Sequence, residues 1–381
     1  MIGHHAFRGC LTCFETFEDS VLNFAKKKCL GERIVDNENK LSKYIFRNYA
    51  EVHELVKYFS SGLVKEGLLP PNPDDIKILG IYLKNCPNWL ICEQACYRTS
   101  AVTVPLYETF DMKTIDFIIN QTKLTTIVCA AKHLQCLLDL RSASAQSLDA
   151  VIVSDVLTKS QITPEILNVA DKLKLRMYSF EDIVRIGSAY PSAPLPPSAD
   201  SLASFCYTSG TTGQPKGALI SHENFISVMT SGLEGVMHVQ SEDVYLSFLP
   251  LAHIFERLVT NALLASGSSI GFFTGDLSKL IDDIQHLRPT IFCAVPRLLN
   301  RIRDKVLQGF SSTKQSLASS LFNIAVKQKL YNLKRCGETR HMLWDALVFD
   351  KIKHALGLNR VRLLLSGFYL YLVMLYHFNS S

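Results

Sequence analysis

The N-terminus has no apolar run. Met1 to Ser20 carries His4, His5, Arg8, Glu15, Glu18 and Asp19, which excludes the hydrophobic region of a secretory signal and predicts no N-terminal membrane anchor. Net charge is also scarce. The chain's 40 Lys and Arg face 35 Asp and Glu, giving +5 over 381 residues, too small an excess to predict a nucleic-acid partner. The 11 cysteines are odd in number, and Cys129, Cys206 and Cys293 sit inside apolar runs, the pattern of reduced intracellular thiols rather than a disulfide framework. Cys10 and Cys13 have the spacing of a metal-ligand pair, but no second pair follows at zinc-ribbon spacing, which argues against a structural zinc. Charged residues make up only 20% and hydrophobic residues 48%, which predicts a sizeable core rather than disorder.

What stands out instead is Tyr207-Thr208-Ser209-Gly210-Thr211-Thr212-Gly213-Gln214-Pro215-Lys216-Gly217. After Tyr207 this stretch has no large apolar side chain with which to build core. Its glycines let backbone N–H groups turn inward, its hydroxyls add donors, and Lys216 adds a mobile positive charge, all suited to a polyphosphate. The nucleotide P-loop pattern does not fit. Counted from Gly210, its second glycine falls on Pro215, and Lys216 is followed by Gly217 rather than Ser or Thr. A flexible surface loop is the plain alternative. The apolar strand before the segment and the apolar run after it argue instead for a strand–loop–element unit.

Hydrophobic periodicity predicts alternating strands and helices. Tyr49 to Leu68 places Val52, Leu55, Val56, Phe59, Leu63 and Val64 at helical spacing. Strand-like runs follow at Ile76–Leu83, Ala101–Val104, Thr125–Ala130 and Ala150–Val153, separated by helical stretches at Pro87–Tyr97 and Asp111–Gln121. Cys92 and Cys96, four apart, read as one buried helix face, and Lys26–Lys28 as a solvated one. Farther on, the pattern is strand Val244–Leu249, helix Ala252–Ala265, strand Ile270–Phe273, a helix capped by Asp276, strand Thr290–Val295 and a loop opening at Pro296-Arg297. The predicted class is α/β, with largely parallel sheets covered by helices. The proline-rich stretch Ser188–Asp200 reads as an exposed connector and a candidate subdomain boundary. His253 and Arg297 follow strand ends, where ligands of such sheets bind.

The Tyr207–Gly217 segment resembles the signature loop of adenylate-forming enzymes. Ser247-Phe248-Leu249-Pro250-Leu251-Ala252-His253-Ile254-Phe255-Glu256-Arg257 is similar to a block of the long-chain fatty acyl-CoA synthetase branch, as are Ile270–Phe273, Val295–Arg301, Asn85–Trp89 and Val104–Tyr107. The resemblance covers about Phe14 to Gly367. It implies an adenylate-forming N-terminal domain over residues 1–367, incomplete at its C-terminal end, with 368–381 as a non-family hydrophobic tail. It also implies an ATP-dependent ligase: a long-chain fatty acid is activated as an acyl-adenylate, then passed to CoA, with Mg²⁺ bridging the phosphates.

On that resemblance Thr208, Ser209, Gly210, Thr211, Thr212, Gly213 and Lys216 hold the ATP phosphates. His253 is the catalytic candidate on the resemblance, although as a lone residue it reads more readily as a helix N-terminal histidine satisfied by backbone. Phe255 and Arg257 are acyl-channel candidates, with a local surface pair Glu256–Arg257 as the alternative. Metal ligands are not assigned. The implied setting is intracellular, with peripheral association at the cytosolic face of the endoplasmic reticulum or the mitochondrial outer membrane. Past Gly367 the family's adenine-, ribose- and lysine-bearing blocks are missing. This makes a truncated, non-catalytic binding or regulatory protein the second expectation. Leu363 to Ser381 holds no Asp, Glu, Lys or Arg, but Leu363–Ser366 reads better as a sheet strand than as part of a membrane span.

Overall fold

The computed structural model describes residues 7–34, 41–154, 163–208, 214–311, 317–367 and 372–375. Its strands in chain order are β1 (Lys28–Glu32), β2 (Ile45–Asn48), β3 (Ile78–Tyr82), β4 (Val102–Pro105), β5 (Thr126–Cys129), β6 (Ala150–Val153), β7 (Arg176–Ser179), β8 (Leu202–Thr208), β9 (Lys216–Ser221), β10 (Val244–Ser247), β11 (Ser269–Phe272), β12 (Ile291–Cys293), β13 (Leu363–Gly367) and β14 (Leu372–Leu375). The helices that matter below are α1 (Cys13–Phe24), α2 (Tyr49–Lys65), α3 (Pro87–Arg98), α4 (Met112–Thr122), α5 (Leu134–Ala143), α6 (Pro164–Lys172), α7 (Phe180–Ala189), α8 (His222–Gly232), α9 (Ile254–Ala265), α10 (Leu280–Leu287), α11 (Pro296–Ser311) and α12 (Leu317–Cys336). The chain divides into two units: Met1–Glu242 with Ser247–Gly275, and Asp243–Leu246 with Asp276–Ser381.

The first unit is built on a seven-stranded sheet in the order β7-β6-β5-β3-β4-β8-β9, parallel throughout except for β9, which runs antiparallel to β8. Every residue of β3, β4, β5 and β6 is buried, as expected of parallel strands covered on both faces. One apolar cluster joins these strands to α4, α5 and α6 through Ile115, Ile119, Leu137, Leu138 and Ala170. A second joins α1, α3, α8 and α9 through Cys13, Tyr97, Phe225, Met229 and Ala262. Beside them β1 pairs parallel with β11 and antiparallel with β2. Lys26–Lys28 is not a helix face. The helix ends at Phe24, Lys27 binds Ser241 and Glu242, and Lys28 opens β1.

Local chemistry sets the helix starts. Thr12 with Glu15, Asn48 with Glu51 and Ser179 with Asp182 form reciprocal capping boxes for α1, α2 and α7. Helix α2 buries Val52, Val56, Phe59 and Leu63 as its spacing predicts, while Val64 turns outward. It also packs against α7, through glycine. A Cβ on Gly187 would lie 1.7 Å from the Tyr58 carbonyl oxygen, and one on Gly62 would lie 2.1 Å from that of Ile183. Only hydrogen fits at this crossing. Gly187→Ala therefore pushes the helices apart and should cost about 1–3 kcal/mol. Urea unfolding should show a lower midpoint at unchanged slope, and an unchanged midpoint would mean that the crossing relaxes freely.

The stretch Ser188–Asp200 lies inside this unit, between α7 and β8 of one sheet, not at the division between units. It is largely exposed, but Ser61 and Arg98 bind Ser192, and Leu195 exchanges hydrogen bonds with Arg98 and Ser100.

In the second unit β10, β12 and β13 run parallel, with β14 antiparallel on β13. Asp243 accepts a hydrogen bond from Thr290 (2.6 Å) and pairs with Arg362, tying the approach to β13 to the start of β10. Two expectations fail here. Helix α10 begins at Leu280, not at Asp276, because Asp276 spends its carboxylate on the Ser278 N–H and Leu277 points to solvent. Pro296 opens a helix rather than a loop, its missing N–H costing nothing in the first turn.

Candidate active site

The polyphosphate-type segment begins at the end of β8 and finishes at the start of β9. Strands β8 and β9 pair antiparallel, with Tyr207 opposite Gly217 and Thr208 opposite Lys216. Thr208 and Lys216 are thus cross-strand neighbours at the last pair of the β8–β9 ladder, both exposed, and the Thr208 hydroxyl reaches the Lys216 carbonyl at 3.5 Å. Ser209, Gly210, Thr211, Thr212 and Gly213 lie between them, outside the described residues. The pattern's outer glycine has a packing reason. A Cβ on Gly217 would sit 3.1 Å from the Tyr207 ring. That ring is buried, its hydroxyl donates to Gln121 Oε1 at 2.6 Å, and burial pushes its pKa up to about 12.

His253 follows Pro250 in a turn closed by the His253 N–H to the Pro250 carbonyl, and it caps α9. Its Nδ1 accepts from the Phe255 N–H at 3.1 Å, which fixes the neutral tautomer with the proton on Nε2. Partial burial of the ring lowers its pKa further, so the free nitrogen is presented as a neutral N–H donor beside half-buried Phe255. The capping reading of His253 is the one the geometry shows. It is the helix cap, and the capping leaves Nε2 available.

The segment before His253 is held by a residue that the periodicity could not single out. Asn85, just beyond β3, is buried. Its amide donates to Ser247 Oγ (2.9 Å) and to the Leu249 carbonyl (2.6 Å), while its oxygen accepts from the Leu251 N–H (3.0 Å). Ser247 in turn donates to Glu256 Oε1 at 2.6 Å.

Arg257 takes a different place from the acyl-channel lining or surface pair expected of it. Arg257 and Glu93 are both 0% exposed, and so is Glu256. The guanidinium meets Glu93 at 2.5 Å and donates to Thr103 Oγ1 (3.0 Å), Tyr97 Oη (3.2 Å) and Ser204 Oγ (2.5 Å), with the faces of Trp89 and Phe225 within 5.5 Å. Asn261 completes the set by donating to Glu93 Oε2 at 3.0 Å. Burial alone would lower the arginine's pKa. Glu93 outweighs it and holds the charge firmly in place. Ser204 lies in β8, four residues before Thr208, and Arg257 lies one turn beyond His253 in α9. The network thus joins the helix that presents His253 to the strand that carries the hairpin. Arg297, in the other unit, is exposed in the first turn of α11.

The described residues match known proteins along almost their whole length. The family model described as "AMP-binding enzyme" matches residues 22–367. Among curated proteins the chain is 35% identical over 366 residues to long-chain-fatty-acid–CoA ligase 5 of Rattus norvegicus, covering 95% of this chain and 51% of that one. It is 34% identical to ligase 1 of Homo sapiens (93% and 49%) and 36% identical to the peroxisomal long chain acyl-CoA synthetase 6 of Arabidopsis thaliana (93% and 48%). The chain spans about half the length of these curated relatives. Among solved structures, the adenylation domain of a carboxylate reductase from Mycobacterium chelonae superposes with a TM-score of 0.73 at 20% identity, covering 94% of this chain and 58% of that one. An adenylation domain from Segniliparus rugosus, solved with AMP and a carboxylic acid, gives 0.69 at 19% identity and covers 94% and 60%. These two show the fold, that of an adenylation domain. The chain belongs to the AMP-binding enzyme family.

Proposed function

We propose that this polypeptide works as an ATP-dependent long-chain fatty acid–CoA ligase. The observation that carries the reading is the β8–β9 hairpin. It brings Thr208 and Lys216 together at the two ends of the Gly/Ser/Thr segment, on a strand cross-linked to the helix of His253. In the first step a carboxylate oxygen attacks the α-phosphorus of ATP, and the bond to the β-phosphate breaks, releasing pyrophosphate. Charge grows on the leaving group, and the turn with Lys216 is suited to stabilise it. In the second step the CoA thiol, losing its proton, attacks the acyl carbon and AMP leaves.

Thr208, Ser209, Gly210, Thr211, Thr212, Gly213 and Lys216 would bind the β- and γ-phosphates. His253 would donate from Nε2 to the fatty acid carboxylate, and Phe255 would flank the chain. Arg257 would serve as a strut beneath the channel rather than as its lining. Mg²⁺ would enter with the nucleotide. Among the described residues no group of three or more His, Cys, Asp or Glu side chains could hold a metal by itself. A fatty acid substrate partitions into membranes, so we read the protein as peripherally membrane-associated. No helix among the described residues is long and apolar enough to cross a bilayer.

The test incubates residues 1–381 with labelled palmitate, ATP, Mg²⁺ and CoA and resolves acyl-adenylate from acyl-CoA. Lys216→Ala should lower adenylate formation on the order of 100-fold. Folded protein that binds ATP but forms neither product would overturn the ligase reading and leave a nucleotide-binding protein.

A further inference from the structure

Charge is distributed unevenly along this chain. Residues 296–362 hold 14 Lys and Arg against 4 Asp and Glu, a net +10, whereas the whole chain carries only +5. The rest is therefore net acidic. The basic stretch contains a helical hairpin of the second unit: α12, then the helical segment from Met342 to Leu356. The hairpin is closed on its inner side. Phe322 and Ala325 are buried, the Phe322 and Phe349 rings meet at 6.3 Å, and Lys329 pairs with Asp345.

Its outer side has another composition. Ile324, Lys327, Tyr331 and Arg335 share one exposed face of α12 at helical spacing, with Ile324 50% and Tyr331 56% exposed. Arg335 lies over Tyr331 and donates to its hydroxyl at 2.7 Å. Beyond α12, the next helical segment opens with Met342 at 91% and Leu343 at 55% exposure; Lys334, Arg335 and Arg340 precede them in sequence, with Glu338 the one acid between Tyr331 and Leu343.

We propose that this tip docks on an anionic lipid surface, with Met342 and Leu343 entering the interface and the basic residues meeting lipid phosphates and carboxylates. Apolar and basic side chains interleaved on one exposed face suit a charged bilayer. A nucleic-acid surface would have no use for Met342, Leu343 and Ile324, and a neutral apolar partner would have none for the lysines. The inference names the surface behind the membrane association read above. It needs no catalysis, so its failure leaves the ligase reading standing.

The experiment is flotation of the 381-residue chain with vesicles of phosphatidylcholine alone or mixed with phosphatidylserine, without ATP or CoA. Binding should need phosphatidylserine and fall as salt rises. Lys327→Gln with Lys334→Gln should weaken it roughly thirtyfold, at about fivefold per basic residue. A Leu343→Trp reporter should shift its emission to the blue on phosphatidylserine vesicles only. Equal binding to both vesicle types, binding indifferent to the lysine changes, or an unshifted Leu343→Trp reporter overturns the proposal. So does a concentration-dependent dimer, broken by Met342→Glu, that floats with neither vesicle, since the tip would then be an interface between two copies of this chain.

Discussion

Arg257→Ala should destabilise the first unit by about 3–5 kcal/mol, because it leaves the Glu93 carboxylate buried without its cation. That is a large share of a stability that ordinarily totals 5–15 kcal/mol, so this variant should accumulate in insoluble form or melt far below the parent. Four further acceptors lose their donor with it: Ser204, Thr103, Tyr97 and Cys206. Arg257→Lys should recover only part, since a single ammonium cannot reach groups that the planar fork spans. The double variant Glu93→Leu with Arg257→Met removes both charges. It should fold better than either single change to alanine, because the orphaned charge, not the missing attraction, is the main cost. Chemical denaturation of the parent, Glu93→Leu, Arg257→Met and the double variant measures the coupling. If Arg257→Ala unfolds at the parent's midpoint, the pair is not the strut described above.

That strut was the least legible part of the chain. Glu93 and Arg257 stand among ordinary amphipathic helix residues, and nothing in a 3.6-residue period separates a charge that faces solvent from one paired 164 positions away. Two further misreadings share this cause. Asp276 is a good helix cap by type, yet its carboxylate closed a shorter local turn. Lys26–Lys28 was placed on a helix by charge alone, though Ala25 already ends α1.

What depended on short-range chemistry was readable. Strands β3 to β6 are buried throughout and mostly apolar because both faces are covered, and Pro87 and Gly267 mark real helix boundaries. The hairpin mouth was legible as composition but not as topology. Glycine and hydroxyl content excluded core from the segment, while the pairing of Thr208 with Lys216 needed the register of β8 on β9.

Stability should also fall steeply between about pH 6.5 and pH 4 on account of His222. This ring begins α8 and is buried. Its Nδ1 accepts from the Cys13 N–H at 3.3 Å, and the edge of Tyr97 approaches at 4.9 Å between centroids. Burial first, and the nearby Arg257 cation second, lower its pKa to about 4 from an ordinary 6.5. The position at a helix N-terminus acts in the same direction.

A histidine whose folded pKa is depressed binds its proton more readily when unfolded. Its contribution is therefore complete above pH 6.5 and disappears as pH falls towards 4, at a cost of about 3 kcal/mol. His253 shifts in the same sense and adds less, being more exposed. His222→Gln keeps an acceptor for the Cys13 N–H and cannot titrate. Urea midpoints measured at several values between pH 7 and pH 4 should fall for the parent and stay nearly level for this variant over the upper part of that range, where carboxylates are still ionised. Parallel curves would mean that another group carries the acid sensitivity. A level variant curve would show that α8, packed between α1 and the strand of the hairpin, is held by a histidine that must stay neutral.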